Sequence, residues 1–225
     1  MGQENTVVGP TVRTGFALAY AYHLPLSSAV KMSLEAFAGF QQFWINGDDF
    51  ILHDEKDNVL NGKQTSIVPD MSLGAWFYSK ESYLGITMGQ VLQSKLDIAA
   101  VDNGSASKLV HHYYVTAGHR FHISHELAIV PSFMVKAVQP APVSVDLNAQ
   151  LMYKHGQFWT GGSYRHKDSF TLFLGISLLD GRIPISYSYD LSVSRLIKYN
   201  TGSHEITIGC KIPKNHEVHC PQNFW

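Results

Sequence analysis

Residues 182–212 read RIPISYSYDLSVSRLIKYNTGSHEITIGCKI and form two segments of alternating polarity on either side of a polar loop. In the first segment one face carries Ile183, Ile185, Tyr187, Tyr189, Leu191 and Val193. The other face carries Pro184, Ser186, Ser188, Asp190, Ser192 and Ser194. A period of two residues predicts a β-strand with one apolar and one polar face. Because the pattern recurs along the chain with no helices to cover the apolar faces, lipid is a candidate for the apolar side.

The low content of charged residues agrees with a protein surface of which a part does not face water. Only 16% of the 225 residues are charged, against about 25% in soluble domains. A net charge of -1 and a pI near 6.9 give no electrostatic reason to expect nucleic acid as a partner. No apolar run approaches the roughly 18 residues of a membrane-spanning helix, so the sequence excludes a helical membrane protein.

Turn residues and alternation divide the chain into about eleven strands and no long helix. Most are longer than the roughly five to six residues of a globular strand and match the roughly nine to eleven that cross a bilayer. We therefore predict an all-β protein, an antiparallel transmembrane β-barrel, as a single outer-membrane domain over residues 1–225 with a periplasmic tail at 213–225. The predicted strands are 12–23, 30–42, 68–79, 82–93, 109–121, 126–138, 143–154, 157–166, 169–179, 182–193 and 203–212.

Alternation also predicts which face of each strand meets lipid. In residues 143–154 the apolar face begins at Val143 and includes Leu147, while the polar face includes Asp146; strands 30–42 and 169–179 divide in the same way. Aromatic residues near strand ends are predicted to form interfacial girdles. These residues are Tyr22, Trp44, Tyr78, Tyr83, Tyr113, Tyr153, Phe158 and Trp159.

The connections alternate between two sides of the predicted sheet. On one side all five are tight, at 24–29, 79–82, 122–126, 154–157 and 180–182. On the other side the connections 43–67, 94–108 and 194–202 are longer, while 139–142 and 166–168 are short. Bacterial barrels place short turns in the periplasm and longer loops outside, so the first predicted strand starts outside and the last ends in the periplasm. Single-chain barrels of bacteria have an even number of strands, and about eleven therefore predicts at least one missing upstream strand, in a truncated barrel of about 14. The N-terminus also lacks the features of a secretory signal.

Two clusters contain residue types that carry chemistry. His119, His122 and His125 invite a metal hypothesis. However, His119 and His122 would project to opposite faces of a strand, and no zinc-ligand spacing supports a metal site. Ser186, Ser188 and Asp190 with His204 contain the residue types of a catalytic triad, and strand alternation would bring Asp190 and His204 together on the polar, lumen-facing side. A hydrogen-bonded register lock is the preferred interpretation. No nucleotide, hydrolase or redox motif is present. We predict no enzyme activity, cofactor, metal or small-molecule substrate.

Three further features give no evidence of catalytic chemistry. Cys210 lies on the apolar face of the last strand and Cys220 in the tail, so no disulfide is predicted. Asn103-Gly104-Ser105 matches a glycosylation sequon but is interpreted as a flexible turn. The acidic segment 44–58, WINGDDFILHDEKDN, is either a protein-docking loop or a solvated loop.

The quoted SYSYDLS and TGSHEI resemble the C-terminal signature of the PorP/SprF family of type IX secretion and gliding proteins. The segments GPTVRTGFALAYAYHLPLS and SLGAWFYSKESYLGITMGQVLQ are similar to earlier segments of that family, so the resemblance spans residues 9–212. It implies a non-enzymatic outer-membrane component that acts as a docking or anchoring barrel. The implied partners are outer-membrane lipid, periplasmic ring proteins and the C-terminal domains of secreted cargo or adhesins; no partner-binding residue is assigned. The alternatives are a passive porin or a soluble lipid-binding β-barrel.

Overall fold

A computed structural model describes residues 2–8, 11–46, 63–96, 107–179, 181–193 and 202–210. These residues form β-strands connected by turns and short irregular segments. The strands are β1 Gly2–Val8, β2 Thr11–Pro25, β3 Lys31–Asn46, β4 Lys63–Tyr78, β5 Ser82–Gly89, β6 Lys95–Leu96, β7 Ser107–Lys108, β8 His112–His119, β9 Phe121–His122, β10 Leu127–Val138, β11 Ser144–Tyr153, β12 Phe158–Arg165, β13 Ser169–Leu178, β14 Ile183–Ser192 and β15 Ser203–Ile208.

One antiparallel sheet of thirteen strands organises the molecule, as the all-β prediction required. Each long strand pairs with the next long strand in the sequence, in the order β1-β2-β3-β4-β5-β8-β10-β11-β12-β13-β14-β15. Strand β9 also pairs with β10, and β6 and β7 make a separate small hairpin. Within the described ranges the sheet is open, because β1 and β15 share no ladder. Closure into a barrel of about 14 strands stays a prediction.

Every predicted strand has a counterpart, but the sheet contains one crossing strand more than predicted. Strand β1 pairs with β2 from Gly2↔Ala17 to Val8↔Thr11. This strand lies within the sequence, and the further strand predicted upstream of it stays a prediction. Its sequence, GQENTVV, lacks alternating apolar residues, so periodicity alone does not detect it. The twelve strands along the main path give an even number.

The limits of some strands differ from the prediction for local reasons. Strands β3 and β4 extend further into the intervening loop, and their ladder ends at Asn46↔Lys63. The Lys63 ammonium lies 5.7 Å from the ring centroid of Trp44, a cation–π contact at this end of the ladder. Strand β5 ends at Gly89 because the backbone turns at Gln90 and Gln93, which have left-handed φ values of 55° and 48°.

The sheet has two distinct faces, and their polarity follows the predicted alternation. We call them the apolar face and the polar face. On the polar face several hydroxyl, amide and carboxylate side chains are buried, namely Ser33, Gln41, Ser66, Thr116, Asp146 and Ser169. On the apolar face large side chains remain exposed, including Leu18, Tyr20, Leu34, Phe40, Ile67, Leu147, Leu172, Leu174, Ile206 and Ile208. This inversion of the usual burial is expected where the apolar face meets lipid.

In the part of the chain described here, no helix combines the length and apolarity needed to cross a membrane.

Leu147 and Asn148 on β11 provide a direct test of which face meets lipid. Leu147 is 55% exposed and lies on the apolar face, while its neighbour Asn148 belongs to the polar face. We expect Leu147→Arg to lower the free energy of unfolding in phospholipid vesicles by about 2–4 kcal/mol, since this is the cost of arginine near the bilayer midplane. Urea titration followed by tryptophan fluorescence measures the change. Asn148→Arg is the matched control with little expected effect. A cost within about 0.5 kcal/mol for both variants, typical of a water-exposed surface, would contradict the membrane assignment.

Three hairpin turns at one edge of the sheet share the same serine-closed geometry. In the turns that start at Ser27, Ser79 and Ser124, the serine Oγ accepts hydrogen bonds from the backbone N–H groups two and three residues later, over 3.0–3.4 Å. The serine N–H in turn donates to the carbonyl three residues later, over 2.8–3.0 Å. The side chain thus supplies an acceptor where a two-residue hairpin normally uses a carbonyl.

Candidate functional site on the polar face

Aromatic rings cover glycines in neighbouring strands on the polar face. A Cβ added to Gly175 would lie 2.2 Å from Cε2 of Trp159, and one added to Gly118 would lie 2.6 Å from Cε1 of Tyr83. Both glycines lie directly opposite the aromatic residue in the ladder. Trp76 covers Gly85 and Phe173 covers Gly161 in the same way. The rings therefore fill the space that glycine leaves and pin the register.

This packing corrects part of the girdle prediction. Tyr83 and Trp159 point to the polar face, and Tyr78 is buried at 5% exposure, so these three do not belong to a lipid-facing girdle. Polarity did not predict the orientation, because tyrosine and tryptophan suit either environment. On the apolar face, exposed aromatics of the predicted set are Tyr22, Tyr113, Tyr153 and Phe158.

An ion-pair network connects β10, β11 and β12 on the polar face. Asp146, which is 6% exposed, lies between Lys136 and Arg165. Its Oδ2 accepts from Lys136 Nζ at 2.6 Å, and its Oδ1 accepts from Arg165 Nε at 2.8 Å. Arg165 also donates from a terminal nitrogen to Asp168 Oδ2 at 3.2 Å. A buried carboxylate with two cationic partners fixes the relative position of three strands.

A second polar centre lies between β3 and β4. Gln41 donates from Nε2 to Oδ2 of Asp70 in a short hydrogen bond. The pair lines a groove of about 450 Å³ whose other walls include Arg13, Gly15 and Gly39. Gln41 Oε1 and Asp70 Oδ1 are buried and accept no hydrogen bond from the described residues. This groove is therefore the candidate ligand site on the polar face, since buried acceptors are rarely left without a donor.

The edge that carries the tight turns is rich in histidine. His119 Nδ1 lies 2.7 Å from Ser82 Oγ, and His122 Nε2 lies 3.1 Å from Glu81 Oε2. Arg120, between them, donates its backbone N–H to the carbonyl of Glu81 at 2.8 Å. Partial burial lowers the pKa of Arg120, while the charge of Glu81 acts in the opposite direction. We call the five tight connections and these side chains the turn rim.

The histidines considered as metal ligands do not converge on one point. His119 and His122 contact different residues of the neighbouring hairpin, as described above, and His125 lies in the exposed serine-closed turn that begins at Ser124. Within the described ranges no group of three or more histidine, cysteine, aspartate or glutamate side chains is arranged to hold a metal ion.

The structure separates the residues of the hypothetical triad. His204 lies opposite Tyr189 in the ladder, and Asp190 lies opposite Ser203, so histidine and aspartate lie on different faces. His204 Nδ1 lies 2.7 Å from Tyr187 Oη. Asp190 Oδ1 instead accepts from Thr171 Oγ1 at 3.2 Å. The idea that Asp190 and His204 meet on the polar face was wrong, because a register offset of one residue reverses the face of every side chain.

Several predicted features lie outside the described residues: the sequon at 103–105, most of the acidic loop at 44–58, Cys220 and the tail at 213–225. Cys210 is a free, exposed cysteine that follows the exposed Ile206 and Ile208, in agreement with its predicted position on the apolar face.

Comparison with known proteins agrees with the architecture. A search of curated proteins finds no significant match. A family model described as "Type IX secretion system membrane protein PorP/SprF" matches residues 4–210, from β1 to the end of β15. The match covers nearly the whole chain and includes both polar centres and the turn rim. The sheet, with exposed apolar side chains on one face and buried polar side chains on the other, is the architecture that a strand-built membrane protein needs. The chain therefore belongs to the PorP/SprF family of type IX secretion system membrane proteins.

Proposed function

We propose that this protein is a non-enzymatic component of the type IX protein secretion and gliding system in the outer membrane of a Gram-negative bacterium. It would act as a docking or anchoring barrel for secreted cargo or adhesins and work together with periplasmic ring proteins of the system. The family match over residues 4–210 is the observation that carries this proposal.

The amphipathic sheet supports the outer membrane as the location. Antiparallel strands can cross a bilayer only where every backbone polar group is paired, which in practice means a closed barrel. Strands such as β10, with twelve residues, and β11, with ten residues, have the length that a tilted crossing requires. Barrels of this kind are typical of the bacterial outer membrane.

The difference in length between the connections at the two edges of the sheet supports one orientation of the protein in the membrane. Short turns in bacterial barrels face the periplasm, so the turn rim would face the periplasmic ring proteins and the opposite edge would face the exterior. The turn rim presents Lys80, Glu81, His122 and Lys154 among other polar groups. Such a surface suits contacts with a folded, polar partner.

The proposed function is non-enzymatic, and the positions of His204 and Asp190 support this part of the proposal. Among the described residues, the triad-like set of Ser186, Ser188, Asp190 and His204 does not assemble, since His204 packs against Tyr187 and Tyr189 while Asp190 accepts a hydrogen bond from Thr171. A Ser-His-Asp mechanism needs these groups in one hydrogen-bonded chain.

Deletion of the gene tests the proposal. We expect the deletion strain to lose surface display or export of particular cargo proteins, and a plasmid copy of the gene to restore it. Quantitative mass spectrometry of the cell surface and the culture medium measures the change. Periplasmic proteins that do not use the system serve as the control for general envelope damage. Unchanged cargo export would refute the proposal, and stable ion conductance of the purified protein in a planar bilayer would then favour a passive porin.

A further inference from the structure

We propose that the groove formed by Gln41 and Asp70 binds a basic side chain, the guanidinium or ammonium group of a partner polypeptide. This inference rests on the proposed function, because it supposes that a polypeptide reaches the polar face. The groove is separate from the turn rim and from the Asp146 network.

The first argument is the unused hydrogen-bonding capacity at a buried position. Gln41 is 9% exposed, so its amide is almost fully removed from solvent. Its Nε2 is used by Asp70, which leaves Gln41 Oε1 and Asp70 Oδ1 as two buried acceptors without a donor from the described residues. A buried acceptor that has no donor destabilises the folded protein. A ligand with several N–H groups would supply both missing donors.

The second argument is space. The groove of about 450 Å³ is lined by Gly15, which has no side chain to project into it. A Cβ added to Gly15 would meet nothing nearer than Cγ of Gln41 at 3.9 Å, so the volume beside the amide is open. Ser72 and Thr87 add hydroxyl groups to the wall. The volume is sufficient for the extended side chain of arginine or lysine.

The third argument is charge and geometry. The two free acceptors belong to a carboxylate and to the amide bonded to it, so the site favours a donor with positive charge. A planar guanidinium presents several N–H groups in a fork that matches adjacent oxygens. A calcium ion is a poorer fit, because it takes six to eight oxygen ligands and the groove offers few side-chain oxygens around Gln41 and Asp70.

Arg13 is the basic side chain among the residues that line this groove. Its guanidinium carbon lies 5.7 Å from the ring centroid of Phe43. A guanidinium on an aromatic face is held by a cation–π contact, which leaves the two acceptors of the Gln41–Asp70 pair to another donor.

Peptide binding to the purified full chain in detergent micelles tests the inference. The probes are acetyl-Gly-Arg-Gly-amide and the matched peptide with citrulline, which has nearly the same shape and no charge. Isothermal titration calorimetry is expected to show binding of the arginine peptide at least about tenfold tighter than of the citrulline peptide. Asp70→Asn is expected to remove about tenfold or more of that affinity. Glu205→Gln, which makes the same charge change on β15, is the control and should stay within about twofold.

A second variant tests the same groove if Asp70→Asn does not fold. Gly15→Leu fills the groove without changing a charge and is expected to abolish binding of the arginine peptide. Equal affinity for the two peptides, no binding to the wild-type protein, or Asp70-dependent binding of calcium alone would each overturn the inference. These results leave the proposed function intact, since the gene deletion measures cargo export in cells and the peptide titration measures a site in the purified protein.

Discussion

Gly39→Ala is expected to lower the free energy of unfolding by about 3 kcal/mol, at the upper end of the usual overpacking costs. Gly39 lies opposite Ala17 in the ladder between β2 and β3. A Cβ on residue 39 would lie 1.9 Å from the backbone oxygen of Phe16 and 2.8 Å from the Cα of Ala17. Main-chain atoms cannot rotate away as a side chain does, so the two strands must separate locally. Urea unfolding in detergent micelles, followed by tryptophan fluorescence, measures the loss.

Gly15→Ala is the matched control for this prediction. Gly15 lies on the polar face of β2, as Gly39 does on β3, but its added Cβ would make only ordinary contacts, the nearest at 3.9 Å. Because alanine restricts the unfolded chain more than glycine does, we expect this variant to be neutral or slightly more stable, by less than about 1 kcal/mol. Equal destabilisation by the two substitutions would contradict the argument that the close approach at Phe16 requires glycine at position 39.

Asp146→Asn is expected to lower the free energy of unfolding by about 1.5–3 kcal/mol, because it removes the charge to which Lys136 and Arg165 donate hydrogen bonds. Lys136 and Arg165 both pair with this carboxylate, at 2.6 Å and 2.8 Å, and the aspartate is 6% exposed. An amide keeps the shape of the side chain and removes its charge. The free energy of unfolding in micelles, measured by the same urea titration, reports the loss.

Asp168→Asn is the control for the network. Its side chain is 50% exposed and contacts Arg165 at 3.2 Å, so the change is expected to cost at most about 1 kcal/mol. A similar loss from both variants would show that the network does not depend on the buried carboxylate. The double variant Lys136→Met with Asp146→Leu, which removes a cation together with its partner, is expected to recover part of the stability lost in Asp146→Asn.

The polarity of individual strands was predictable from the sequence because their side chains alternate without ambiguity. Leu147 and Asp146 were assigned to opposite faces, and the structure confirms this with 55% and 6% exposure. The tight turns were also predictable, since serine and glycine mark them. These features depend on residues within a few positions of each other, where periodicity and turn chemistry are informative.

The polar centres were not predictable in the same way, because they depend on register between strands. Gln41 and Asp70 are separated by 29 positions, so nothing local indicates that they meet. The error over His204 has the same origin, since one residue of slip decides its face. Asp146 and Lys136 form an exception, because their contact is local. They lie on the two arms of a short hairpin, with Lys136 opposite Ser144, so a polar-face contact follows from the turn.

The order of strands in the sheet has a consequence for how the chain folds. From β1 to β15 the long strands pair with their successors, so the ladders join segments that are close in sequence. Folding rates fall as the mean sequence separation of contacts rises, and a meander keeps that separation low for a β protein. Each serine-closed hairpin can therefore form early from its own segment, before the rest of the sheet is in place. The arrangement limits the time during which an unpaired apolar strand is exposed to water, which reduces aggregation.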